Sequence, residues 1–115
     1  MSPGEEVTLW RAPPPGSPDP QGEVANGFPA SRYPGNGPYF ATERSIADDF
    51  QRCYRNGMQE INLPMDLFED LVQRGIIEED AFYPAGESWH VPPAGLPEFN
   101  VAIMQGSPNR YRPEP

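Results

Sequence analysis

Lysine is missing from this 115-residue chain, whose eight basic residues are all arginine. Its absence excludes a phosphate loop of the Gly-x-x-x-x-Gly-Lys type. Cys53 is the one cysteine, which excludes an internal disulfide and a cysteine-rich zinc site. His90 is likewise the one histidine, and it has no second ligand at the spacing of a zinc site. No Gly-x-Ser-x-Gly motif occurs, so a serine nucleophile has no support.

Long apolar runs are also missing, and none approaches the roughly 20 residues that a transmembrane helix needs. Residues 1–11 lack the basic stretch followed by an apolar one that is typical of a secretory signal. Seventeen carboxylates against eight arginines give a formal charge of -9. Because binding to a phosphate backbone requires clustered cations, we do not expect nucleic acid as a partner, and the missing apolar run gives no reason to expect a membrane.

Proline and glycine are abundant instead, with 17 and 11 copies. They concentrate between residues 12 and 38, which hold eight prolines and five glycines and show no apolar periodicity. This composition is typical of one long loop made of extended pieces and turns. Before the loop, residues 6–11 alternate between apolar and polar side chains, which predicts a strand.

The rest of the chain predicts an α+β fold, because two helices interrupt several short strands. The first helix is expected at residues 45–56, where apolar side chains recur at helical spacing, and the second at 65–74. The strands predicted after the loop lie at residues 38–42, 58–63, 76–77, 87–91 and 99–104. We expect residues 1–105 to form one domain and residues 106–115 to form a flexible tail.

Two charged residues are notable because each shares a predicted strand face with apolar residues. Arg11 follows Val7 and Leu9 on the inner face of the first strand. A guanidinium there needs an anion, which is either a ligand phosphate or one of the chain's own carboxylates. Glu87 shares its face with Trp89, so it marks either the edge of a cleft or an exposed strand start.

Aromatic residues follow the long loop. Tyr39 and Phe40 come directly after the glycine-rich residues 35–38, and they suit either stacking on a planar ring or packing in the core. Thr42 offers a hydroxyl, either to the same cleft or as a cap for the following helix. The residues alone therefore indicate a candidate anion-binding arginine, a candidate cleft carboxylate and aromatic side chains between them.

Three motifs in this order resemble the ADP-ribosyltransferase toxin domains that form the C-terminal tips of bacterial polymorphic toxins, including type VI secretion effectors. The motifs are Leu-Trp-Arg-Ala at 9–12, Gly-Pro-Tyr-Phe-Ala-Thr at 37–42, and Gly-Glu-Ser-Trp-His-Val-Pro-Pro at 86–93. The similarity spans residues 7–104. It implies a split β-sheet core with two short helices, and a long Pro/Gly-rich loop that borders a cofactor cleft.

The resemblance also implies roles for the motif residues, with NAD+ as substrate and no metal. Arg11 resembles the arginine that anchors the diphosphate, and Glu87 the catalytic glutamate. Thr42 stands at the catalytic hydroxyl position. The positions placed against the cofactor are Trp10, Arg11, Tyr39, Phe40 and Thr42. Breaking the nicotinamide–ribose bond builds positive charge on the ribose, which a fixed carboxylate stabilises in the transition state.

Two departures from the family pattern leave the modified residue open. Ala85 stands two residues before Glu87, where transferases that modify arginine have glutamate or glutamine. The Ser-Thr-Ser stretch of many members is reduced to Ala-Thr-Glu at 41–43. The resemblance implies a secreted effector, delivered into the cytoplasm of a competitor cell, which modifies a bacterial protein and has a cognate immunity protein as a partner.

Other functions stay open at this point. An NAD glycohydrolase toxin of the same fold would use the same chemistry without a protein acceptor. A non-enzymatic acidic immunity or inhibitor protein would also be small and negatively charged. A small acidic nuclease is poorly served by a lone His90 and the missing lysine.

Overall fold

The computed structural model describes residues 5–113. In this part of the chain, six antiparallel strands form one sheet: β1 (Glu6–Arg11), β2 (Tyr39–Ala41), β3 (Met58–Pro64), β4 (Glu78–Glu79), β5 (Ser88–His90) and β6 (Arg110–Arg112). Their order across the sheet is β4-β5-β2-β1-β3-β6. The described α-helices are α1 (Pro20–Asn26), α2 (Arg44–Tyr54), α3 (Met65–Gln73) and α4 (Leu96–Ala102). The predicted α+β class is therefore confirmed.

Strand β1 lies at the centre of the sheet, but its two neighbours pair with it very differently. Strand β3 pairs with β1 along its whole length, up to Arg11 opposite Gln59. Strand β2 shares one registered pair with β1, Trp10 opposite Ala41. The sheet therefore opens between the end of β1 and the start of β2.

The alternation of β1 directs Leu9 and Arg11 to one face of the sheet, where both are buried as predicted. Residues of α1, α3 and α4 cover this face and complete the hydrophobic core. Phe28, which follows α1, and Phe99 of α4 each lie 5.3 Å from Phe40 of β2, measured between ring centroids. The core therefore lies on the same side of the sheet as the Arg11 side chain.

Helix α2 lies on the opposite face, which Trp10 occupies. The guanidinium carbon of Arg44 is 4.8 Å from the centroid of the Trp10 ring, and Ala47 is buried. The sequence predicts this helix at 45–56 and α3 at 65–74, so both are confirmed to within two residues at each end. Their apolar stripes are strong local signals.

The segment 12–38 differs from the single long loop expected from its prolines and glycines. It contains α1 and a 3-10 turn at Ala30–Arg32. Asp19 caps α1 by accepting a hydrogen bond from the N–H of Gly22 over 3.0 Å, and Pro20 stands in the first turn, which tolerates a missing N–H. This start signal is local and specific, so it outweighs the overall composition of the segment.

The predicted strand at 99–104 is wrong, because these residues belong to α4 and the turn after it. The buried residues Leu96, Phe99 and Ala102 recur every three positions, which is a helical spacing. The described residues thus contain four α-helices where two were expected, and none of these helices is long and apolar enough to cross a membrane.

Three other boundaries differ from the sequence prediction. The strand expected at 76–77 lies two residues later, as β4, and the one expected at 87–91 is shortened to β5. Within the expected flexible tail, β6 pairs with β3, and the Tyr111 hydroxyl donates to the carbonyl of Asn56 over 2.9 Å. Residues 1–4 and 114–115 lie outside the described residues.

Candidate functional site

A cleft of about 570 Å³ lies where β1 and β2 separate. Its rim is formed by residues 14–18 of the segment after β1 and by the turn before β2. Helix α2 closes one side, and the segment containing α1 and the 3-10 turn closes the other. The side chains of interest along its walls are Trp10, Arg11, Glu23, Arg32, Tyr33, Tyr39, Phe40, Phe50 and Tyr54.

Arg11 forms part of the cleft wall, but its guanidinium is occupied by the protein itself. Nη1 donates to Oε1 of Gln59 over 2.7 Å and lies 3.5 Å from Oε1 of Glu23. The rings of Phe28 and Tyr33 lie 5.7 and 5.3 Å from the guanidinium carbon. The anion that faces Arg11 is therefore one of the chain's own carboxylates, which is one of the two alternatives expected from the sequence.

Glu23 is a charged cleft residue that was not anticipated from the sequence, because α1 was not predicted. Its side chain is 2 % exposed. Oε1 accepts a hydrogen bond from Nε2 of Gln59 over 3.0 Å, while Oε2 accepts one from the Tyr33 hydroxyl and lies 3.8 Å from Nη1 of Arg32. The Asp-Pro start of α1 is the signal by which this helix, and so Glu23, could have been found.

Tyr33 serves this cluster as a permanent hydrogen-bond donor. Burial raises the pKa of its hydroxyl above the ordinary value of 10.0, and the hydrogen bond to Glu23 acts in the same direction. The positive charge of Arg11 opposes this effect but is outweighed. Tyr33 therefore stays protonated at neutral pH and fixes the orientation of the Glu23 carboxylate.

Aromatic side chains form the opposite part of the cleft. Tyr39 and Phe50 are exposed, whereas Phe40 is buried and packs in the core. Tyr39 stacks on His90 with ring centroids 5.1 Å apart. The two members of the aromatic pair therefore differ, since Tyr39 is 42 % exposed at the cleft and Phe40 packs in the core.

Thr42 and Glu87 do not line the cleft, but they lie side by side next to it. The N–H of Thr42 donates to the carbonyl of Glu87 over 3.0 Å, and the Thr42 hydroxyl donates to the carbonyl of Gly86 over 2.6 Å. Helix α2 has no side-chain cap, so Thr42 does not cap it. The next residue, Ser88, does line the cleft, directly opposite Ala41 in the register.

Registration across the sheet relates these residues to Arg11. Trp10 lies opposite Ala41, which lies opposite Ser88, so Arg11 is level with Phe40 and Trp89. Glu87 therefore lies two residues, about 7 Å, along the strand direction from the level of Arg11.

The Glu87 carboxylate makes no hydrogen bond or ion pair with any residue between 5 and 113. Nor do those residues include a group of three or more histidine, cysteine or carboxylate side chains that could hold a metal ion. The cleft itself offers the partly exposed guanidinium of Arg32 and aromatic side chains, beside the buried pair of Arg11 and Glu23. Such a set of groups suits a planar ligand that carries negative charge.

Comparisons with known proteins found no matching family model, no similar curated protein and no similar solved structure. A function is therefore inferred from the residues and the geometry of the cleft.

Proposed function

We propose that the cleft binds NAD+ and that the chain is an ADP-ribosyltransferase toxin acting on a bacterial protein. The observation that carries this proposal is the adjacency of β1, β2 and β5 around one cleft. These strands bear, in this order, Arg11, the aromatic pair that begins with Tyr39, and the segment that follows Glu87. The three motifs of the sequence resemblance thus meet at one place in the tertiary structure.

The size and lining of the cleft support a dinucleotide ligand. Its volume of about 570 Å³ lies within the range of about 300–1,000 Å³ that is usual for small-molecule and cofactor sites. The rings of Trp10, Tyr39 and Phe50 can stack on planar heterocycles, while guanidinium groups are suited to a diphosphate. A mainly acidic chain that keeps arginines in its cleft has the local charge that such a ligand requires.

The reaction requires a carboxylate near the ribose. The bond between C1′ of the ribose and the nicotinamide nitrogen breaks, and its electron pair leaves with neutral nicotinamide. A nucleophilic side chain of the acceptor protein then adds to C1′ and releases a proton. A carboxylate that faces the positive charge on the ribose stabilises the transition state more than the ground state.

Two carboxylates are candidates for this role, and their surroundings differ: Glu23 lines the cleft, and Glu87 directly precedes the lining residue Ser88. The oxygens of Glu23 are held by Gln59, Tyr33 and Arg11 within the buried cluster. Glu87 is half-buried, and its carboxylate is free of partners among the described residues. Glu87 is therefore the better candidate for the catalytic carboxylate, in agreement with the resemblance.

Incubation with NAD+ and a bacterial lysate tests the proposal. We expect release of nicotinamide and transfer of adenylate-labelled ADP-ribose to a protein. Release without a labelled protein would identify an NAD glycohydrolase, and intact NAD+ would refute the enzymatic function in favour of an inhibitor protein. Delivery into competitor cells and a cognate immunity protein belong to the same proposal.

Glu87→Gln, which removes the charge but keeps the shape, is expected to lower turnover by about 100-fold or more. Glu69→Gln is a matched control, because Glu69 is exposed on α3. Circular dichroism verifies that each variant folds. If Glu23→Gln abolishes turnover and Glu87→Gln does not, the buried cluster contains the catalytic carboxylate and the assignment of Glu87 is wrong.

A further inference from the structure

The cleft has the opposite charge to the chain as a whole. The formal charge of the chain is -9. Among the described residues that line the cleft, the charged ones are Arg11, Arg32 and Glu23, which together carry a net positive charge of one. A positive site on a negative protein concentrates anions locally, because nearby charges dominate within the screening length of about 8 Å at physiological salt.

The two arginines are not equally available to a ligand. The side chain of Arg11 is 8 % exposed, and its guanidinium is paired with Glu23 and Gln59. Moving it onto a ligand would leave the Glu23 carboxylate buried without its nearest counter-charge, which is costly. Arg11 therefore neutralises the protein's own carboxylate.

Arg32 is in the opposite situation. Its side chain is 35 % exposed and belongs to the 3-10 turn at the cleft wall. The contact to Oε2 of Glu23 is 3.8 Å, too long for a hydrogen bond, and the guanidinium donates no hydrogen bond to any residue between 5 and 113. A planar fork with five N–H donors thus lies at the cleft with its hydrogen-bonding capacity unused.

We propose that Arg32 is the side chain that binds the diphosphate of a nucleoside diphosphate moiety in the cleft. The inference rests on the proposed NAD+ site and names the residue that recognises its anionic part. Glu23 holds one side of the Arg32 guanidinium toward the wall, which leaves the other N–H groups for two phosphate oxygens. The excess positive charge of the cluster then resides on Arg32.

Titration of the whole chain with ADP and with adenosine, followed by calorimetry, tests this assignment. These probes share the adenosine group, and only ADP carries the diphosphate. We expect Arg32→Gln to weaken ADP binding about 10- to 100-fold, the range that corresponds to hydrogen bonds to charged groups. Adenosine binding should be unchanged. Arg52→Gln on α2 is the matched control, because the Arg52 side chain is 75 % exposed and lies outside the cleft.

The outcomes separate this inference from the proposed enzyme. If Arg32→Gln selectively loses ADP binding while the wild-type protein does not consume NAD+, the anion site is supported and the transferase is refuted. Turnover of NAD+ combined with equal ADP affinity in Arg32→Gln and wild type overturns the role of Arg32 and leaves the transferase standing. An equal loss of adenosine and ADP binding also overturns it, because the effect would then be steric.

Discussion

Replacing Glu23 by alanine is expected to destabilise the domain severely. The carboxylate lies between the guanidinium of Arg11, the amide of Gln59 and the hydroxyl of Tyr33. Without it, Arg11 stays buried with Gln59 as its remaining hydrogen-bonding partner, and Tyr33 loses its acceptor. The variant thus leaves an uncompensated buried charge beside an unsatisfied hydroxyl.

The burial of the pair sets the size of the effect. Removing one partner of a buried ion pair costs about 3–5 kcal/mol, whereas an exposed pair contributes about 0–1 kcal/mol. The side chains of Glu23 and Arg11 are 2 % and 8 % exposed, so the larger range applies. Domains of this size have free energies of unfolding of about 5–15 kcal/mol, so Glu23→Ala is expected to remove a large part of the total.

Urea unfolding followed by circular dichroism measures this loss. With an m value of about 2 kcal/mol/M, the midpoint should fall by about 2 M. Glu69→Ala on the exposed face of α3 is the control, and it should change the free energy of unfolding by less than about 0.5 kcal/mol.

If Glu23→Ala does not fold, the double variant Arg11→Met, Glu23→Leu replaces both charges with apolar groups and should be folded. A loss below about 1 kcal/mol in Glu23→Ala would refute the reasoning, because the pair would then behave as a solvated one.

Two further predictions concern a glycine at the cleft and a contact at the opposite end of β1 from Arg11. In thermal unfolding, Gly37→Ala should lower stability by about 1–3 kcal/mol more than Gly75→Ala. Both glycines have positive φ, so the backbone strain is matched. A Cβ at Gly37 would lie 1.8 Å from the carbonyl oxygen of Val91, whereas a Cβ at Gly75 would have no atom within 4 Å. Hydrogen bonds from Ser107 lower the pKa of Glu6 below its ordinary value of 4.5. The stabilisation from this contact is therefore complete above pH 4.5, and it is lost as the pH falls through the lowered pKa of Glu6. The protection factor of the Ser107 amide, which compares its exchange rate with the intrinsic rate at each pH, should fall over this acid range in the wild type and not in Glu6→Gln.

Elements with a strong local pattern could be predicted from the sequence. The alternation in β1 and the apolar stripes of α2 and α3 depend on residues a few positions apart, so they survive without tertiary information. Residues 99–104, predicted as a strand, are a short and mostly apolar segment, and a buried helix can have the same pattern. Packing against the core decides between the two, and α4 is the result.

The candidate site was predictable in part for the same reason. Trp10, Arg11, Tyr39 and Phe40 come together at the cleft, as the motifs suggest. Thr42 and Glu87 lie next to each other but outside its lining, because the strand register sets them at a different level from Arg11.

By itself, the sequence determined that the basic side chains other than His90 are all arginines, and that Arg11 points inward at the end of a strand. Which anion meets Arg11 was decided by the tertiary structure. Seventeen carboxylates were chemically equivalent candidates, and only the docking of α1 on the sheet selects Glu23. The physical reason is that a buried charge requires a counter-charge at short range, and short range in space is fixed by packing, not by distance along the chain.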